Sequence, residues 1–197
     1  MKKVELTPAQ KRMLTIQKKK NAEFNALSPM KKRVAVAQDV LLQLKIGKFK
    51  AGDGYGSSKF RGRKLYHYDP LGVADLQTNL IAGMECVGCA KGACLISRAR
   101  LGDKVFMEYF DSVEDNAHRV SYEIFGEYCA DIIEALYEVW EHPRDWSSDT
   151  STHEKHAFDE YRDSLPPRHS KPRERMEAIY QNIVDNKGKL KIGKYRY

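Results

Sequence analysis

Residues Asn79 to Leu101 read NLIAGMECVGCAKGACLISRARL, and they hold three of the four cysteines within the most continuous run of small and apolar side chains in the chain. Such a stretch packs as a crowded buried helix, because Gly88, Ala90, Gly92 and Ala93 let another backbone approach closely. The periodicity predicts a helix near 84–100, with Cys86, Cys89 and Ala93 on one face. Three readings of its thiols stay open. Buried cysteines behave as small hydrophobes. Cys86 and Cys89 also form the commonest metal half-site, with Cys94 as a third ligand and Cys129 or a histidine as the fourth, which would suit zinc or an iron–sulfur centre. A redox Cys-x-x-Cys needs a low-pKa thiol at a helix N-terminus, and the sequence lacks the strand, aromatic and proline flanks of that arrangement.

Charge divides the chain into three. Residues 1–64 carry 17 Lys/Arg against 4 Asp/Glu, a net of +13; residues 65–167 carry 8 against 20, a net of −12; residues 168–197 carry 9 against 3, a net of +6. Either the basic ends lie across the acidic middle, or they are arms that meet phosphates. No run approaches the roughly 18 apolar residues of a membrane span, and MKKVELTPAQKR has no signal-peptide core. The expectation is a soluble cytoplasmic protein with reduced thiols.

Helix signals then follow in order. Thr7-Pro8-Ala9-Gln10 is a capping pattern, and the helix it opens has only a thin apolar stripe around Lys18, Lys19 and Lys20, which makes residues 1–27 a basic arm. Ser28-Pro29 opens a second helix whose Val36, Val40 and Leu44 share a wide face and which stops at Gly47. From Ser121 to Trp140 apolar residues recur every three to four positions, and Glu123, Glu127, Asp131, Glu134 and Glu138 read as its solvated face. A last helix starts at Pro172 and ends at Asn186-Lys187-Gly188, with Gly188 in the capping role, before a basic tail in which Leu190 and Ile192 alternate. These signals predict a mainly α single helical domain. Residues 28–165 form its core, built on helices near 30–46, 84–100 and 121–140, and residues 166–197 form a C-terminal helix and basic tail.

Residues 47–68, GKFKAGDGYGSSKFRGRKLYHY, interrupt the helices. Their glycines favour a loop or a β-hairpin turning near Asp53-Gly54. Lys48, Lys50, Lys59, Arg61, Arg63 and Lys64 make it a candidate seat for phosphates, and Phe49, Tyr55, Phe60 and Tyr66 are candidates to stack on bases. A solvated loop with its aromatics tucked onto the core fits the same residues. No phosphate-loop fingerprint is present, nor a nucleophile elbow, a zinc-protease motif or a dinucleotide fingerprint, so no residue is singled out as catalytic. His153 and His156 are a weaker metal candidate at helical spacing.

Three blocks, Lys31-Lys32-Arg33-Val34-Ala35-Val36-Ala37-Gln38-Asp39-Val40, Cys86-x-x-Cys89-Ala90-x-Gly92-Ala93 and Ala178-Ile179-x-x-Asn182-Ile183-Val184-x-Asn186-x-Gly188, resemble small proteins of unknown function carried by bacteriophages and mobile elements. That resemblance implies a bacterial host cytoplasm and a non-enzymatic accessory protein. Its partner would be a host protein complex, for instance one of bacterial immunity, or nucleic acid. The expectation is that the basic set from Lys48 to Lys64 makes the contact and that no cofactor is needed, with zinc on the cysteines as the alternative.

Overall fold

The computed structural model describes residues 8–52, 57–60, 63–65, 85–101, 113–138, 171–192 and 195–196. Among them six helices dominate, as expected of a mainly α chain: α1 (Pro8–Asn25), α2 (Pro29–Lys45), α3 (Ala90–Leu101), α4 (Val113–Phe125), α5 (Glu127–Glu138) and α6 (Pro172–Asp185). Four short strands, β1 (Phe49–Ala51), β2 (Ser57–Phe60), β3 (Arg63–Leu65) and β4 (Glu85–Gly88), form a sheet in the order β1-β4-β2-β3. The tail folds back as a two-stranded antiparallel pair, β5 (Lys191–Ile192) with β6 (Tyr195–Arg196). None of the described helices is long and apolar enough to cross a membrane.

Ser28 is extended and Pro29 stands at the first turn of α2, but the Ser28 hydroxyl makes no cap bond, so the start rests on proline's fixed φ and missing donor. At its other end Gly47 takes φ +72, which lets Gly47 N–H donate to Leu44 O at 3.3 Å and Lys48 N–H donate to Gln43 O at 3.0 Å. Those two bonds close a Schellman turn and launch β1 directly.

The expected single helix from Ser121 is two helices. Gly126 at φ +80 ends α4, and α5 starts afresh. The carbonyls of Ile124 and Phe125, freed by the break, accept from the Arg33 guanidinium of α2. A charged donor from another helix therefore replaces the lost intrahelical partners. Helix α4 also begins well before Ser121, which is buried in its middle.

The core is continuous across α2, α3, α4, α5, α6 and the tail. Val36, Leu44, Leu95, Phe125, Ile132, Ile133, Met176, Tyr180, Ile183 and Leu190 are all at most 2% exposed. Helix α6, placed with the tail by its sequence position, is thus as deeply buried as α2. From α1, Phe24 joins this core, at 4% exposed. Its ring lies 4.3 Å from the Arg98 guanidinium carbon and 5.9 Å from Lys32 Nζ.

The expected cap at Gly188 is shifted by one residue. Lys187 N–H donates to Val184 O and Gly188 N–H to Ile183 O, which puts Lys187, at φ 56, in the left-handed capping position. Gly188 has φ +94, and a Cβ there would lie 2.6 Å from Met30 O, so glycine is required for the chain to pass α2. Gly188→Ala is expected to destabilise by at least about 2 kcal/mol, whereas Lys187→Gly relieves the left-handed strain and stabilises by about 0.5–1 kcal/mol. Urea unfolding of the two variants measures both signs.

Candidate functional site

Side chains alternate between the faces of a sheet, and directly paired residues share a face. Phe49 pairs with Cys86 and Lys50 with Val87 between the parallel strands β1 and β4. Phe49 is 3% exposed and Cys86 1% exposed, which defines the inner face, whereas Lys50 is exposed on the outer one. Strand β2 runs antiparallel to β4 with Ser58 opposite Cys86 and Lys59 opposite Glu85, and β3 sets Lys64 opposite Lys59. Positions 50, 59 and 64 therefore fall on the outer face, spread over three strand spacings of about 5 Å each. Lys48, exposed and just before β1, continues the alternation.

Four of the six basic candidates are thus brought to one face, Lys48, Lys50, Lys59 and Lys64, with Glu85 among them. Position 63, opposite Phe60, falls on the inner face by the same register, and Arg61 lies outside the described residues. Strands β2 and β3 pair as a hairpin, and Asp53 and Gly54, where a turn was expected, lie outside the described residues. Strand β4 sits between β1 and β2, so those two do not pair. Base stacking by Phe49 is excluded by its burial, and Phe60 holds an inner-face position; Tyr55 and Tyr66 lie outside the described residues.

The cysteine stretch is not one helix. Glu85–Gly88 is a strand and α3 begins at Ala90, so Cys86 and Cys89 do not share a helical face with Ala93. Pairing on both edges, with β1 and β2, favours the extended form over the local helical pattern. Cys89 occupies the residue before α3, where Gly92 N–H donates to its Sγ at 3.5 Å. Cys94 lies within α3 and Cys129 within α5, and all four cysteines are buried free thiols. Burial pushes Cys86 and Cys129 up from the ordinary 9.0 to about 11, and Cys94 to about 12. Cys89 is raised further, by burial first and then by the Glu134 carboxylate beside it. These thiols are the opposite of activated nucleophiles. Among the described residues no group of three or more His, Cys, Asp or Glu side chains is placed to hold a metal ion. His153 and His156 lie outside the described residues.

Beside this turn is a polar cluster that the sequence reading missed. Lys91, 3% exposed, places its ammonium 2.9 Å from Asp131 Oδ1 and 3.0 Å from His118 Nδ1, and 5.3 Å from the Tyr122 ring centroid. An ammonium can only donate, which assigns the His118 proton to Nε2. Tyr122 OH donates to the same Asp131 oxygen at 2.9 Å. Glu134, assigned to a solvated face by its helical position, is only 6% exposed, and its Oε2 accepts from Lys91 N–H at 3.1 Å. An anion at the first turn of α3 meets unpaired amides and the positive end of the helix dipole. The sequence signal for it was slight: Lys91 is the one charged residue between Cys86 and Ile96.

No protein-family model matches the chain, and neither a curated protein nor a solved structure matches it.

Because folding raises the thiol values, their burial contributes full stability below pH 9.0 and loses it as pH rises through about 11 and then about 12. The melting temperature is expected to fall over that window, and thiol reagents to modify the native protein only at the rate at which it unfolds. Asp131→Ala leaves the Lys91 ammonium buried with its main counter-charge gone and is expected to cost about 3 kcal/mol. Lys91→Met leaves a carboxylate whose side chain is 25% exposed and still bonded by Tyr122, so it costs about 1 kcal/mol. Equal losses in denaturant titrations would refute that asymmetry.

Proposed function

We propose that this chain is a non-enzymatic accessory protein that binds nucleic acid through the outer face of its sheet, with Lys48, Lys50, Lys59 and Lys64 meeting phosphates. The observation that carries the reading is the register, which gathers lysines from three strands and their approach onto one surface while the aromatics Phe49 and Phe60 take the other. Contacts of that kind position a backbone and carry little sequence information. Arg61, beside them in sequence, extends the set. Arg63, opposite Phe60 and so on the inner face by register, is the sixth basic residue of the segment. The resemblance to phage and mobile-element proteins supports a bacterial cytoplasm as the setting, where such a protein would act on host machinery, including the complexes of bacterial immunity.

Zinc held by Cys86, Cys89, Cys94 and Cys129 is the weaker alternative, since nothing in the disposition of those thiols favours it over packing. Elemental analysis of the purified protein tests it directly.

Replacing Lys48, Lys50, Lys59, Arg61, Arg63 and Lys64 together by Gln is expected to weaken binding to random-sequence DNA or RNA at least a hundredfold and to flatten its salt dependence, with the circular dichroism spectrum unchanged. A wild-type protein that ignores both nucleic acids but captures a host protein complex would replace this reading with a protein-binding one. Restoring Arg63 alone to the neutralised protein is expected to recover little affinity compared with restoring Lys59.

A further inference from the structure

Helix α1 is long and basic. It carries five Lys/Arg against one Glu, a net of +4. Every α1 side chain described between Pro8 and Glu23 is exposed, with Ile16 at 49% and the Lys19 side chain at 80%. Phe24, near its C-terminal end, is seated on the body, between the Arg98 guanidinium of α3 and Lys32 of α2. Most helical stability in a protein comes from packing one face. For α1 that face carries Phe24, and on the opposite one Arg12, Thr15, Lys18 and Lys19 are exposed.

The placement of its charges indicates what the exposed side meets. At 100° per residue, positions 11, 12, 15, 18 and 19 fall within an arc of about 120° centred opposite position 24. Phe24 therefore holds α1 by one side, and Arg12, Lys18 and Lys19 are exposed on the other. The acidic α4 and α5 of the same chain are not the occupant, because Arg12, Lys18, Lys19 and Lys20 remain exposed.

We infer that α1 docks in the major groove of duplex nucleic acid, with Arg12, Lys18 and Lys19 against the flanking phosphates. A helix is about 10–12 Å across with its side chains, and the groove of B-DNA is about 12 Å wide. This deepens the nucleic-acid reading by naming duplex as the partner, and it adds a second contact element. The attachment of α1 lies near Lys32, whereas the sheet follows the far end of α2, so the two elements act from different ends of that helix.

The test measures the full chain by fluorescence anisotropy against a short DNA duplex, the matching single strand and poly-glutamate. It is repeated with Arg12→Gln, Lys18→Gln and Lys19→Gln combined, and with the sheet variant. Neutralising α1 is expected to weaken duplex binding at least tenfold and to reduce the salt slope by about three, since each phosphate contact contributes about 0.9. The melting temperature should not change, because no core side chain is altered. Duplex affinity unchanged in the α1 variant, while the sheet variant has lost it, overturns the inference and leaves the proposed function standing. Loss with the α1 variant alone upholds the inference and removes the sheet as the interface. A wild-type preference for the single strand or for poly-glutamate overturns duplex docking, and no binding to either nucleic acid overturns both readings.

Discussion

The rest of the structure depends on one turn, Gly88-Cys89-Ala90-Lys91, where a strand paired on both edges becomes the central helix α3. Three helices are tied to it. The Lys91 amide is held by Glu134 of α5, its ammonium by Asp131 of α5 and His118 of α4, and the Ala90 carbonyl accepts from Tyr180 of α6 at 2.7 Å. Taking an ammonium and two carboxylates out of water costs several kcal/mol per ion, so these groups persist only because each meets an oppositely charged or hydrogen-bonding partner. A hydrophobic residue at position 91 would fill the space, but it would remove the ammonium that bridges Asp131 and His118 and leave the Tyr122 hydroxyl to join α4 to α5 at Asp131.

Around that turn, helix ends are closed by groups from elsewhere in the chain. Arg33 of α2 takes the last carbonyls of α4, which allows α4 and α5 to meet at Gly126 and wrap two faces of α3. Tyr137 of α5 donates to Gly52 O at 3.1 Å, fixing the end of β1 against α5, and the Arg175 guanidinium of α6 lies 5.5 Å from the Tyr137 ring. Because a buried backbone group without a partner is costly, these long-range donors select one arrangement of the helices among several of similar apolar burial.

The same framework separates charge by depth. Lys91, Arg98, Glu134 and Arg175 are interior groups with specific partners, whereas Arg12, Lys18, Lys19 and Lys20 of α1, with Lys48 and Lys50 at β1, are displayed at the surface. A net charge of +7 therefore understates how basic the accessible surface is near the N-terminal third. Solvent-facing lysines keep their hydration until a polyanion replaces it, which is the physical condition for counterion-driven association.

Local pattern alone determined the helical class, the start of α2 at Pro29, its stop at Gly47, the start of α6 at Pro172 and the basic character of residues 1–64. In each case the cause lies within a few residues: proline's fixed φ, glycine's left-handed freedom, or an apolar stripe at helical spacing. The break at Gly126 and the strand at Glu85–Gly88 were not legible, because each depends on a distant group, the Arg33 guanidinium in one and the edges of β1 and β2 in the other. Burial of Glu134 was hidden for the same reason, since only the docking of α3's first turn converts an apparent surface carboxylate into an interior one. The six basic residues were visible as a composition, but which of them share a face was decided by strand register. A shift of one residue would have turned Lys59 and Lys64 inward, and that register is set by tertiary pairing with Cys86 and the burial of Phe49.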